Sequence, residues 1–290
     1  MATTRTRNRS TADDIKAEGT RAAKQAAYSP LMEALARLGY AVRGLMYVMI
    51  GAISLQAAIG KTTSPADQIG AIAAIGHLAS GRILLWVMLA GLAAYSLWGF
   101  VRAIFDPFHK GTDTSGLLAR LGYVISAITY AFFALTTYGL LRGTSSNTGG
   151  SGQTIEFVSR LMQSPAGRIG VAVIGLAVLI GGLYQIYAGI TMNFEQTLKP
   201  YALSPDEYRT AKEMGKIGTA VRGLVIGIVG GFLILAATSA DPAKARGFSG
   251  ALSFLGQQPY GVYLLGVVAA GLIFLGLYSL MSAAWFRFRR

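Results

Sequence analysis

The sequence predicts an all-α integral membrane protein: a helical bundle of six transmembrane helices, built as three tandem hairpin repeats with short interfacial helices. The first observation is composition, since the 290 residues are 53% hydrophobic and only 13% charged. Soluble domains usually carry about 25% charged residues. The second observation is that the charges avoid the centres of six apolar runs, each near the roughly 20 residues needed to cross a bilayer. The runs cover about 41–60, 83–105, 121–141, 169–192, 221–240 and 262–285.

The third observation is a motif that returns three times, at the start of every odd-numbered run. It reads LGYAVRGL at 38–45, LGYVISAI at 121–128 and IGTAVRGL at 217–224. The even-numbered runs open on Gly81, Gly167 and Gly261. Each of these glycines is followed by a small residue and, seven positions after that small residue, by an aromatic one. This spacing places the small and the aromatic residue on the same helix face. These pairs are Gly91 with Trp98, Ala177 with Tyr184, and Gly271 with Tyr278. A unit of two spans is therefore repeated three times in parallel.

This repeat divides the chain into five parts. We predict a polar basic arm at 1–34, a first repeat at 35–110, a second at 111–194, a connector at 195–216 and a third repeat at 217–290. In the connector, Ser204 and Glu207 have the spacing of a capping box, which predicts a helix running into the fifth span.

Apolar turns between the two spans of each repeat predict three short helices on the membrane surface. They involve the segments 64–75, 154–162 and 248–255. By contrast, the segment 149–152 is predicted to be a flexible loop. Its glycines lack the following Lys-Ser/Thr pair and the preceding strand of a phosphate-binding loop.

The net charge of +13 is distributed unevenly between the two sides of the membrane. Nineteen of the 26 Lys and Arg residues fall on the side of the two termini, so the positive-inside rule predicts that both termini are cytoplasmic. We expect this face to contact anionic lipid headgroups, and the distribution argues against nucleic acid as a partner. The first apolar run follows a long polar segment, which favours a retained anchor over a cleaved signal peptide.

The titratable residues offer little chemistry. The chain has no cysteine, which excludes disulfides, thiolate metal sites and cysteine nucleophiles. His77 and His109 lie in or beside connectors, and Asp106 and Glu195 lie at span ends. Because no nucleophile, base and acid fall within reach by spacing, the sequence predicts no catalytic residue, no metal site, no cofactor and no enzymatic activity.

Two arginines and a row of glycines are the candidate contact residues. Arg43 and Arg222 lie about one turn inside their spans, where ionisable groups are functional suspects. They either extend to the membrane surface and pack at helix ends, or contact a specific anion, lipid or partner. Gly223, Gly227 and Gly231 form a small-xxx-small row suited to close helix packing, within the chain or with a partner.

A resemblance is carried by the repeated L-G-Y/T-x-V-R-G motif at the odd-numbered spans and by the Q-P-x-G motif before the even-numbered spans, which reads Gln258-Pro259-Tyr260-Gly261 before the sixth span. By these motifs the chain resembles the bacterial DUF1206 family. The resemblance covers roughly 35–286, and the middle copy departs from it by carrying Ser126 in place of arginine. It implies a six-span protein of the bacterial cytoplasmic (inner) membrane without an assigned activity.

Two functions fit these observations. The first is a non-catalytic accessory or scaffold subunit that docks to a larger respiratory or photosynthetic membrane complex. The absence of mid-span carboxylates, cysteines and ligand histidines favours it. The alternative is a small-molecule or ion transporter or channel built from three parallel hairpins, although transporters usually have broken helices and polar midplanes.

Overall fold

A computed structural model describes residues 30–106, 111, 113–144, 150–191 and 204–285, and these ranges are helical with short connections. The residues 1–29 of the predicted arm, His109 and Glu195 lie outside them. In chain order the helices are α1 (Pro30–Ala58), α2 (Gln68–Gly76), α3 (Gly81–Phe105), α4 (Thr114–Arg142), α5 (Gly150–Leu161), α6 (Pro165–Thr191), α7 (Pro205–Ser239), α8 (Phe248–Gly256) and α9 (Gly261–Trp285). A 3₁₀ turn, Pro242–Lys244, precedes α8.

Six of these helices (α1, α3, α4, α6, α7 and α9) are long and apolar enough to cross a membrane. This confirms the predicted all-α architecture with six spans. Two spans start well before their apolar runs, α1 at Pro30 and α7 at Pro205. The predicted capping box is confirmed at α7, where the Ser204 hydroxyl accepts from the Glu207 amide and the Glu207 carboxylate accepts from the Ser204 amide.

The three short helices α2, α5 and α8 lie between the spans of their repeats, at the end of the bundle opposite Pro30 and Trp285. We call this end the cap side and the other the termini side. Helix α5 contacts both α2 and α8, and one hydrogen-bond network joins the three. The buried Asp67 carboxylate accepts from the Ser249 hydroxyl at 2.8 Å. The Ser249 and Ser151 hydroxyls lie 2.9 Å apart, and Ser151 accepts from the Gly250 amide at 2.9 Å.

This network corrects one prediction. The sequence predicts a loop at 149–152, but α5 begins at Gly150 and includes Ser151 and Gly152, while residue 149 lies outside the described ranges. The hydrogen bonds of Ser151 to α8 hold the first turn of α5 in place. Long-range contacts of this kind override the low helix propensity of glycine.

The spans pack through three equivalent seams between repeats. The second span of each repeat lies against the first span of the next, pairing α3 with α4, α6 with α7 and α9 with α1. The same repeat positions meet in each seam. The Ser96 hydroxyl donates to the Ala127 carbonyl at 2.8 Å. A methyl group added to Gly182 or to Gly276 would lie 2.7 Å from the carbonyl oxygen of Gly223 or Gly44, respectively. Small residues therefore set the spacing of all three seams.

Packing inside the repeats breaks this symmetry. The two spans pack on each other in the first repeat (α1 with α3) and in the third (α7 with α9). In the described part of the chain, α4 and α6 of the middle repeat share no comparable packing. The six spans consequently form an open arc in the order α4, α3, α1, α9, α7, α6, with the middle repeat at its two ends.

Candidate functional site: an arginine–tyrosine cluster and an open middle repeat

The first candidate site is a cluster of arginine and aromatic side chains in the termini-side half of the bundle. Its outermost member is Arg102, in the last turn of α3 and only 7% exposed. The Arg102 guanidinium carbon lies 4.6 Å from the ring centroid of Tyr123, 5.3 Å from that of Tyr95 and 5.9 Å from that of Trp98. Such contacts between a cation and a ring face are each worth about 0.5–2 kcal/mol.

Arg43 of α1 approaches one of these rings, that of Tyr95. One of its terminal nitrogens donates to the Tyr95 hydroxyl at 2.8 Å. Its guanidinium carbon is 5.7 Å from the ring centroids of both Tyr47 and Tyr95. Tyr95 in turn packs on Tyr130 of α4, with the ring centroids 4.3 Å apart. Tyr95 of α3 thus contacts both neighbouring spans, α1 through the hydrogen bond and α4 through ring packing.

Arg222 brings the third repeat into the cluster. Its guanidinium carbon lies 5.6 Å from the ring centroid of Tyr47, which Arg43 also approaches. Arg43 and Arg222 therefore share one ring, and Arg43 and Arg102 share the ring of Tyr95. Tyr95 lies ten residues before the end of α3, which places the inner part of the cluster about 15 Å from that helix end at 1.5 Å per residue.

The cluster is positively charged without an acidic partner. Among the described residues, the ion pairs are Arg37 with Glu33, Arg160 with Glu156 and Lys216 with Glu213, and none involves the cluster. The Nε atoms of Arg43 and Arg102 are buried and have no hydrogen-bond acceptor. Three guanidinium groups thus lie among neutral rings, and two of them, those of Arg43 and Arg102, have an unused donor.

Sequence reasoning found part of this cluster. It singled out Arg43 and Arg222 and placed them one turn inside their spans. The structure places Arg43 at the depth of Tyr95, because α1 extends for more than three turns before it. Sequence reasoning missed Arg102, although this residue lies inside the second apolar run, three positions before its end at 105.

The tyrosines were missed as well, and a signal for them exists in the repeat. Tyr40 and Tyr47 occupy the same positions in the first repeat as Tyr123 and Tyr130 in the second. The seven-residue spacing places each pair on one helix face. All four rings contact a cluster arginine or Tyr95 directly. Tyr40, for example, packs edge-on against Tyr95 with centroids 5.5 Å apart.

The second candidate site is the face that the middle repeat leaves open. In the first repeat Gly91 packs on Val42, and in the third a methyl group added to Gly271 would lie 2.6 Å from Val221. The equivalent middle-repeat residues are Ala177 and Ile125. The extra methyl group of alanine would prevent the close approach that glycine allows.

Exposure confirms that these equivalent positions are uncovered. Ile125 is 58% exposed, whereas Val42 is 4% exposed. Tyr184 is 60% exposed, whereas its counterparts Trp98 and Tyr278 are 0% and 9% exposed. The middle repeat therefore exposes residues whose counterparts Val42, Trp98 and Tyr278 are buried.

The glycine row predicted on α7 is divided by the structure. A methyl group added to Gly223 would lie 2.7 Å from the Gly182 carbonyl, and Gly227 faces Gly182 across the same seam. Gly231 has open space around it, and the neighbouring Gly230 packs against Leu179 instead. Gly223 and Gly227 thus serve packing within the chain, while Gly231 lies outside the α6–α7 seam.

Comparison with known proteins identifies a family with the same threefold repeat. A family model described as Domain of Unknown Function (DUF1206) matches three segments, 38–106, 121–192 and 217–285. Each segment contains one pair of spans with the short helix between them. An uncharacterized protein, YxxB, of Bacillus subtilis (strain 168) is 28% identical over 256 residues, which are 88% of this chain and 92% of YxxB. No solved structure matches.

Proposed function

The chain belongs to the DUF1206 family, and we propose that it acts as a non-catalytic accessory or scaffold subunit of a larger membrane complex. The observation that supports this proposal is the open middle repeat. Its two spans expose Ile125 and Tyr184, although the equivalent residues of the other repeats contact a neighbouring helix. The occupant that we propose for this face is a membrane-spanning helix of another protein.

We propose a helix as the occupant of this face, and not lipid chains, because helices cover the equivalent faces of the other two repeats. At the equivalent positions of the first and third repeats, the face is covered by a helix at close range. Ala177 keeps the middle face small enough for a helix to approach, while preventing the tighter internal closure that Gly91 permits. A respiratory or photosynthetic complex of the bacterial inner membrane is the assembly that we propose for this role.

Photo-crosslinking from the open face tests the proposal. A photoreactive amino acid would replace Ile125 or Tyr184 in the native membrane, and Ile83, which is 69% exposed on α3, would serve as the matched control. We expect that Ile125 and Tyr184 form adducts in which the crosslinked peptide lies in a membrane-spanning segment of a second protein. Ile83 should form no such adduct. Native gel electrophoresis after gentle extraction should then show the chain migrating with that protein.

Two results would contradict the accessory role. Adducts formed with lipid only, together with migration as a monomer, would show that no helix covers the face. Adducts with a second copy of this chain would assign the face to self-association.

The second candidate function is a transporter or channel, and the arginine–tyrosine cluster is the observation that favours it. Three cations without acidic partners, reaching about 15 Å inward from a helix end, could receive an anion from the membrane interface. Uptake or conductance in liposomes that depends on the purified protein would support this candidate. Loss of that flux in Arg43→Gln, with an unchanged fold, would link it to the cluster.

A further inference from the structure

We propose that Arg43, Arg102 and Arg222 form a binding site for a phosphate-bearing anion in the termini-side half of the bundle. The inference does not depend on the accessory role. It rests on the convergence of three spans from two repeats on shared tyrosine rings, and on guanidinium groups whose donors are not all used.

The charge of the cluster is the first step. Adjacent guanidinium groups approach one another through a common ring, Arg43 and Arg222 at Tyr47, and Arg43 and Arg102 at Tyr95. Two cations about 10 Å apart repel each other by about 1–2 kcal/mol at an effective dielectric constant of about 20. The tyrosine rings offset part of this repulsion. An anion held among the three arginines would replace repulsion by attraction.

The unused donors are the second step. Arg102 is 93% buried, as its 7% exposure shows, and its Nε atom is enclosed without an acceptor. The Nε atom of Arg43 is also buried without an acceptor. A buried donor without an acceptor is unfavourable. The Nε atom of Arg120 is a further case, but some other described arginines avoid it. Arg168, for example, donates from Nε to the Ala237 carbonyl and from Nη2 to the Thr238 carbonyl at 2.8 Å.

The geometry of the donors points to phosphate. A guanidinium group presents its N–H bonds in a planar fork that matches two phosphate oxygens, and charge-assisted bonds of this type are about twice as strong as neutral ones. Tyrosine hydroxyls can add further donors, and the Tyr95 hydroxyl already lies 2.8 Å from a terminal nitrogen of Arg43. A phosphate group carries enough oxygens to accept from more than one arginine at once.

Two sources could supply such a group, the headgroup of an anionic phospholipid or a free phosphate-type anion. The exposed face of α4 beside the cluster would suit the acyl chains of a lipid, since Leu121 and Ile128 are 54% and 57% exposed. The chemistry of recognition is common to both sources, so the experiment is designed to separate them.

Trp98 provides a reporter because its ring is 5.9 Å from the Arg102 guanidinium carbon. The full chain, carrying Trp86→Phe and Trp285→Phe so that Trp98 is the remaining tryptophan, would be placed in nanodiscs of neutral phosphatidylcholine. One arm would titrate inorganic phosphate against sodium chloride of equal ionic strength. The other arm would raise the fraction of phosphatidylglycerol. Each arm would be repeated with Arg43→Gln, Arg102→Gln and Arg102→Lys.

Arg142→Gln is the matched control. Arg142 is an exposed arginine at the cap-side end of α4, and its guanidinium carbon lies 4.9 Å from the ring centroid of Tyr138. It resembles the cluster arginines in its contact with a tyrosine ring but lies outside the cluster. Circular dichroism and thermal unfolding would show that each variant keeps its helices.

We expect a saturable change of Trp98 fluorescence with at least one probe. Arg102→Gln and Arg43→Gln should each weaken binding tenfold or more, and Arg142→Gln should leave it unchanged. Arg102→Lys should restore binding only in part, because lysine keeps the charge but not the planar fork. Saturation by phosphatidylglycerol without saturation by phosphate identifies a lipid headgroup, and saturation by phosphate identifies a free anion. The proposal is overturned if neither probe saturates, or if Arg43→Gln and Arg142→Gln behave alike.

Discussion

At the scale of single residues, glycine decides how closely the spans approach. Glycines 181 and 182 are neighbours in α6 and show the contrast. A methyl group added to Gly182 would lie 2.5 Å from the backbone nitrogen of Gly227, whereas one added to Gly181 would meet nothing within 4 Å. Backbone atoms cannot move aside as a flexible side chain can, so the cost of a methyl group depends on which of the two positions receives it.

This contrast gives a paired prediction. Gly182→Ala should lower the free energy of unfolding by about 1–3 kcal/mol, because the added methyl group forces α6 and α7 apart. Gly181→Ala should be neutral, or stabilising by up to about 1 kcal/mol, because alanine has the higher helix propensity. Denaturation of the two proteins in the same detergent measures the difference. Equal stabilities would show that α6 and α7 lie further apart at Gly182 than in this structure.

At the scale of helices, the hydrogen bonds between α2, α5 and α8 join the three repeats on the cap side. Asp67 receives the Gly70 amide on one carboxylate oxygen and the Ser249 hydroxyl on the other, both at 2.8 Å. It thus caps its own helix and holds the corresponding helix of the third repeat. A buried carboxylate that loses a donor is costly, because the charge remains in a poorly solvated place.

We therefore predict that Ser249→Ala destabilises the protein by about 1.5–3 kcal/mol, the range for hydrogen bonds to charged groups. Ser253→Ala serves as the control, since Ser253 lies one turn further along α8 and its hydroxyl takes no part in the Asp67 network. Thermal unfolding and hydrogen exchange of the amides in α2 and α8 would measure the loss. Faster exchange should be confined to the cap side in Ser249→Ala, and exchange that rises equally in both variants would refute the assignment.

At the scale of the whole molecule, the two spans of a repeat, as far as the structure describes them, pack on each other in the first and third repeats but not in the middle one. The arc of six spans is therefore open between α4 and α6. Because the chain contains no native cysteine, pairs of introduced cysteines report on this arrangement without background. The residues 221 and 271 form one pair, since an added Cβ at Gly271 would lie 2.9 Å from the Val221 Cβ. The residues 125 and 177 form the equivalent middle-repeat pair.

The open arc predicts different crosslinking for the two pairs. Val221→Cys with Gly271→Cys should form a disulfide under mild oxidation, while Ile125→Cys with Ala177→Cys should remain mostly reduced, because a disulfide requires Cα atoms within about 7 Å. Gel mobility after proteolysis between the two cysteines measures the yield. Equal yields would mean that the middle repeat closes like the others.

The same absence of cysteine allows the orientation to be tested. Lys61→Cys, on the cap side, should react with a membrane-impermeant maleimide in intact cells, and Arg209→Cys, on the termini side, should react only after permeabilisation. This outcome is expected because the excess of Lys and Arg lies on the termini side and favours the cytoplasm. The reverse labelling pattern would invert the orientation predicted from charge.

Much of this fold could be predicted from particular residues. The apolar runs indicated six spans, the capping box at Ser204 indicated the early start of α7, and the repeated motif indicated equivalent hairpins. Helix α5 was the exception, because its first turn depends on hydrogen bonds between Ser151 and α8 that are nearly 100 positions apart in the chain. No local pattern carries information about a contact of that separation.

For the candidate site, the sequence indicated Arg43 and Arg222 as charges inside apolar runs, but not the rings around them. That grouping depends on which spans are neighbours, and neighbours are set by the packing of small residues across the seams. The sequence by itself determined the number of spans, their repeat and the location of the charges, because these follow from hydrophobicity and periodicity along one segment. Only the tertiary structure decided that Arg102 joins the cluster and that the middle repeat stays open. Both depend on side chains from different helices competing for the same space.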